Sequence, residues 1–220
     1  GLYFIKRAWE LFKMYSIDEL PLQDLQNFWS LLYMDFCRKI CTDHPAEGET
    51  VIRRAIAETG RRQGEWQRQE HEQMGLNTNL HSFFLDGRGA VCDPRSAAAV
   101  HTRNTEVCLW DRYICPMANY WAAHSAEAYG RFYCEEYMRA FLSGYTGGKG
   151  QFHLSKVLTD KRDILCQFAA YFRPANLELE QRRKAFESTP VRQEAPVGSF
   201  SDYIREKAVL FCAFLCAELK

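Results

Sequence analysis

Three cysteines stand where a thiol could do chemistry. Cys115 directly precedes Pro116, and proline suits the first residue of a helix. Cys115 is therefore the expected N-cap. A sulfur there meets unpaired backbone N–H groups and the positive end of the helix dipole, which favours the thiolate. Such a thiol is a nucleophile or a metal ligand; the competing reading is a small buried residue. Cys134 falls early in the following helix, beside Glu135 and Glu136, and Cys166 falls in an alternating strand. The expectation is one long-range cluster of Cys115, Cys134 and Cys166. Their spacing lacks the C-x-x-C signature of zinc sites, and zinc would need a fourth ligand. His153 is nearest in sequence, but it alternates away from Phe152 and Leu154.

Lys156 is expected on the same strand face as Phe152, Leu154 and Leu158. A lysine on an apolar face needs a paired charge or an anionic ligand, such as a substrate carboxylate; otherwise it snorkels to water from the strand end. Asp163, Glu135 and Glu136 are the candidate general acids or bases. The remaining thiols are better read as packing. Cys37/Cys41 and Cys212/Cys216 are i, i+4 pairs on apolar helices, while Cys92 and Cys108 are isolated. The run Gly147-Gly148-Lys149-Gly150 lacks the trailing Ser/Thr of a phosphate loop and precedes a strand. The stretch Trp66–Gln73 reads as a solvated helix face.

These residues must be positioned by a chain of 220 residues with 47% apolar content, enough for one sizeable core. The expected organisation is one domain over 1–220. Lys plus Arg equals Asp plus Glu at 28 each, so nothing draws the protein onto nucleic acid or an acidic membrane. Nine cysteines at irregular spacing, with no leading signal-peptide pattern, imply reduced thiols and a cytoplasmic location. No apolar run reaches the ~18 residues of a membrane span.

The first 75 residues pattern as helices. Trp9, Leu11 and Phe12 mark the first. The second begins at Pro21 with Leu22, Leu25, Phe28, Trp29, Leu32, Phe36 and Ile40 as its apolar stripe. The third starts near Glu49 with Val51, Ile52, Ala55 and Ile56 on one face; Gly60 and Gly64 then mark either close packing or a break. Strands are expected at Asn77–Leu85 and Thr102–Trp110, followed by helices from Pro116 to about Tyr129 and Phe132 to about Ser143, closed by Gly130 and Gly144. Gln151–Leu158 and Asp163–Phe172 form the clearest hairpin, with Ile164, Cys166, Phe168, Ala170 and Phe172 on one face. A charged surface connection spans 176–200, and Ser199 with Asp202 caps a last helix. The fold class is α+β, with a four-stranded antiparallel sheet.

The run C-P-x-A from Cys115, the acidic pair after Cys134, F-x-L-x-K-x-L from Phe152 and D-x-x-C-x-F from Asp163 together resemble the L-2-amino-thiazoline-4-carboxylic acid hydrolase family. The segment from Gly48 to Gly64 adds to this. The resemblance spans residues 35–173, leaving 1–34 and 176–220 as helical extensions. Cys134–Phe168 is also similar to vinyl-reductase-type sensor domains, which often bind zinc through cysteines and a glutamate; two of those positions are Ser155 and Leu158 here. The resemblance implies hydrolytic opening of a small amidine-type heterocycle. Either a thiolate, Cys115 first, or a carboxylate-activated water attacks the C=N carbon. Cys115, Cys134, Cys166, Glu136 and Asp163 are then the catalytic candidates, and Lys156, His153 and Glu135 the substrate contacts. No cofactor is expected, zinc being the one metal the thiols would suit. The expected partner is a carboxylate-bearing small molecule, with a homodimer as one option. The alternative function is a non-catalytic ligand sensor with a cysteine-based metal site.

Overall fold

The structure, a computed structural model, describes residues 20–87, 93–187 and 199–219. The helix expected around Trp9–Phe12 and Cys92 lie outside them.

The first two described helices follow their apolar stripes. Helix α1 (Leu22–Asp43) starts directly after Pro21 and buries Leu25, Trp29, Leu32 and Ile40, with Tyr33, Met34 and Cys37 beside them. Helix α2 (Gly48–Gln73) buries Val51, Ile52, Ala55 and Ile56 and runs unbroken through Gly60 and Gly64. Its last two turns are not the solvated face expected. Gln67 and His71 are buried, Gln67 Nε2 donating to the Phe83 carbonyl at 3.0 Å and His71 Nδ1 lying 2.8 Å from Tyr145 Oη.

The expected strand Asn77–Leu85 is instead a short helix, α3 (Leu80–Leu85). Asn79 caps it by accepting the Ser82 N–H, and Leu80 and Phe83, three apart, share its buried face. The first hairpin lies further on. Strands β1 (Ala97–Arg103) and β2 (Val107–Ile114) pair around a turn in which the Asn104 side chain accepts from Glu106 N and Val107 N. The expected strand Thr102–Trp110 straddled that turn.

Helix α4 (Pro116–Ala123) is capped in position by Cys115, and it closes at Ser125, which takes a left-handed φ of 52°. It therefore ends well before the expected Tyr129. Helix α5 (Glu127–Tyr145) contains both glycines expected to end helices. Gly130 faces the Trp121 ring, where a Cβ would come within 2.3 Å. Gly144 faces the α2 backbone, where a Cβ would lie 2.0 Å from the Arg61 carbonyl oxygen.

Strands β3 (Gln151–Lys156) and β4 (Cys166–Tyr171) form the second hairpin, shorter than expected at both ends of its turn. Pro174 opens a 3-10 turn (Pro174–Asn176). A four-residue helix α6 (Leu179–Arg182) then runs into a π turn (Arg183–Glu187). Helix α7 (Phe200–Glu218) begins with the expected capping box of Ser199 and Asp202.

The four strands form one antiparallel sheet in the order β1-β2-β4-β3, so the two hairpins join through β2 and β4. Among the described residues there are seven α-helices and this one sheet, an α+β architecture. Helix α2 packs against α5 and α7, α1 packs against α4 and α7, and α5 meets β3. Trp110 and Phe168, paired across β2 and β4, stack at 4.7 Å on the helix-facing side. No helix among the described residues is long and apolar enough to cross a membrane.

Candidate functional site

The site is built on the start of β4, the end of β3 and the turn between them, packed against α5. Each outer strand departs from regular pairing: β1 shifts register between Val100 and Thr102, and β3 between Leu154 and Lys156. The extra residue in β3 is Ser155, whose hydroxyl donates to Gln167 Oε1 at 2.8 Å. A bulge resets the alternation of side chains. Phe152 and Leu154 stay half-buried while Lys156 is exposed, so Lys156 does not share their apolar face. Ile164 also leaves its expected face. It precedes β4 in the turn and is 83% exposed.

An open cleft of about 450 Å3 lies here, lined by Arg131, Glu135, Leu154, Ser155, Lys156, Val157, Asp160, Arg162 and Asp163. Its size is in the range that takes small organic ligands, roughly 300–1,000 Å3. Most of its charges are already paired. Arg131 holds Glu135 at 2.6 Å and Asp160 at 3.5 Å, and Arg162 also holds Asp160, at 2.9 Å. Hydrogen bonding from Arg162, with the Arg131 charge nearby, keeps the Asp160 carboxyl far below the usual range. Glu135 is partly desolvated, which works against its charge. Arg131 and Arg53 nevertheless keep its carboxyl below the usual value. Asp163 is fixed by the Val157 N–H, which donates to its Oδ2 at 2.8 Å. Lys156 is the exception, with no ion-pair or hydrogen-bond partner among the described residues.

Of the expected site residues, Lys156, Asp163 and Glu135 line this cleft. Glu136 and His153 do not. Glu136 is held by Arg53 at 3.0 Å and Arg139 at 2.6 Å, and His153 is exposed with its ring 6.0 Å from that of Tyr171.

Cys115 and Cys166 are buried behind the β3–β4 turn, and Cys134 is half-buried. Cys115 follows β2 and caps α4, Cys134 lies on α5, and Cys166 opens β4. Charge on Cys115 would raise both Cys134 and Cys166, and charge on Cys166 would raise Cys134. Burial pushes the Cys134 thiol well up, with Cys115 and Cys166 adding to the rise; the facing Thr159 side chain and Arg112 oppose it. Burial likewise pushes Cys166 up to about 11, partly offset by the Leu158 N–H, which donates to its Sγ at 3.2 Å. Cys115 is buried and its side chain makes no capping hydrogen bond. None of the three lines the cleft. Among the described residues no group of three or more His, Cys, Asp or Glu is arranged to hold a metal ion.

Sequence reasoning passed over Arg112 and Thr159. Arg112 pairs in register with Cys166, and its charge acts on Cys134, Cys166 and Tyr133. The signal was there, since Cys108, Trp110 and Arg112 alternate on one face of β2, the first two buried. Comparison with protein-family models, with curated proteins and with solved structures gives no match to this chain.

Proposed function

We propose that the protein is a hydrolase that opens a small, carboxylate-bearing cyclic amidine in the cleft between the β3–β4 turn and α5. One observation carries this reading: Lys156 presents an unpaired ammonium in a small-molecule-sized cleft that also holds the fixed carboxylate of Asp163. Lys156 binds the substrate carboxylate. Asp163 takes a proton from water as its oxygen bonds to the C=N carbon; the C=N electrons pass to nitrogen, which is protonated. The tetrahedral carbon then expels its ring heteroatom, which leaves with a proton, and a carbonyl forms. Water is favoured over a thiolate because burial keeps Cys134 and Cys166 protonated and places all three thiols outside the cleft.

The test is turnover of 2-aminothiazoline-4-carboxylate, followed by release of free thiol. Lys156→Ala should raise KM at least tenfold with little change in kcat. Asp163→Asn keeps an acceptor for the Val157 N–H and should lower kcat by about 100-fold or more. A wild-type protein that binds this compound without turnover would point to a sensor. Unchanged kinetics in both variants would remove the cleft from the reaction.

A further inference from the structure

The connection between β3 and β4 is built as a closed unit. The Asp160 N–H donates to the Val157 carbonyl at 2.9 Å, and the Asp163 N–H donates to the Asp160 carbonyl at 3.0 Å. The Val157 N–H completes the ring by donating to Asp163 Oδ2 at 2.8 Å. Side chains then seat residues 157–163 on one face of α5. Thr159 is 5% exposed, and its Cγ2 stands where Gly130 leaves room: a Cβ on Gly130 would lie 2.9 Å from it. The Thr159 side chain also hydrogen-bonds Cys134, one turn further along α5. On either side, Arg131 holds Asp160 and Glu127 holds Lys161, each at 3.5 Å. Glu127, Gly130, Arg131 and Cys134 are spaced three and four apart, so they lie on one helix face. The two ion pairs are long and their cations exposed, so they grip weakly. The buried Thr159 is the firm point of attachment.

We propose that Thr159 is a positioning residue. Its seat between Gly130 and Cys134 fixes residues 157–163 on α5 and so sets where the Asp163 carboxylate stands in the cleft. What Asp163 does there rests on the hydrolase reading; the seat itself does not. Thr159 does not line the cleft and acts through the ring of hydrogen bonds that ends on Asp163. Lys156 precedes that ring, so loss of the seat disturbs the chemical step more than the binding of the substrate carboxylate. A misplacement of about 1 Å in a reacting group costs up to roughly 100-fold in rate.

The experiment follows hydrogen exchange of the Val157 amide in the full chain, and turnover of 2-aminothiazoline-4-carboxylate in the same variants. Thr159→Ala removes both branches of the side chain. It should speed Val157 exchange at least tenfold, leave the Ala169 amide in β4 unchanged, and lower kcat at least tenfold with KM within twofold. Thr159→Val keeps Cγ2 in its seat and should restore both exchange and kcat to within about threefold of wild type. Unchanged Val157 exchange in Thr159→Ala overturns the seat. Faster exchange with unchanged kcat overturns the positioning role. A wild type that does not turn the compound over removes the hydrolase reading and this role with it, whereas the exchange measurement needs no substrate and still decides the seat. Should Thr159→Ala fail to fold, Thr159→Ser, which loses only the seated methyl, carries the same comparison.

Discussion

Lys207 projects from α7 into the core, where only 3% of it is exposed. Its Nζ donates to Tyr133 Oη at 3.1 Å and sits 4.3 Å from the Tyr203 ring centre and 4.4 Å from that of Tyr137. The rings favour a cation, by about 0.5–2 kcal/mol per good contact. Removing an unpaired ammonium from water costs several kcal/mol, so desolvation wins. Burial accordingly holds the lysine well below its ordinary pKa. The sign follows from the unfolded chain binding the proton more tightly. Above the unfolded pKa of about 10.4 there is no penalty. As the pH falls the penalty grows, until it is complete below the folded value. Lys207→Met should therefore raise stability by about 1–4 kcal/mol at pH 7. That gain should shrink toward zero as denaturant titrations are repeated up to pH 10.5. At this scale part of the placement was readable in the sequence. The elements that carry Cys115 and Cys166 followed from an N-cap and a strand pattern. Lys207 did not stand out, because its place among Tyr133, Tyr137 and Tyr203 depends on α5 and α7 packing together, which no local pattern specifies.

The contact between α2 and α5 shows the same dependence one level up. A Cβ on Gly64 would lie 2.1 Å from the Phe141 carbonyl oxygen, and Gly60 and Gly144 face equally close backbone. The two helices touch main chain to main chain. Gly64→Ala improves local helix propensity by about 1 kcal/mol, yet should destabilise the protein by about 3 kcal/mol, since neither backbone can yield without moving its helix. Chemical denaturation checks this, and a neutral or stabilising result would mean the helices stand further apart. The spacing of these glycines was visible in the sequence, whereas the partner was not. Other elements misled for local reasons. Leu80 and Phe83 carry a helical spacing too short to outvote a strand-like composition, and α3 is decided by the Asn79 cap. Strand β1 is rich in alanine, a poor strand former, and is held by its pairing with β2. The bulge at Ser155 reversed the expected side of Lys156, because a single extra residue leaves no mark in a periodic pattern.

Across the whole molecule, the helical layer and the sheet are joined through α3. Phe83 meets Phe141 and Tyr145 at about 5 Å in the helices, while Phe84 lies 4.9 Å from Trp110 in the sheet. Trp110 in turn stacks on Phe168, coupling the two hairpins. Helical and sheet packing therefore share one aromatic seam. Urea unfolding followed by helical circular dichroism and by tryptophan fluorescence should give coincident transitions. Separate midpoints would mean that the two layers unfold independently. The order β1-β2-β4-β3 also leaves β1 and β3 as the two outer strands, and each carries its irregularity near the middle or the end. Another molecule's strand approaching β1 meets a straight run only from Ala98 to Val100, and one approaching β3 only from Gln151 to Leu154. Bulges of this kind deny a growing fibre its template. The feature that turns Lys156 toward the cleft thus also guards a crowded solution of this protein against strand-by-strand self-association.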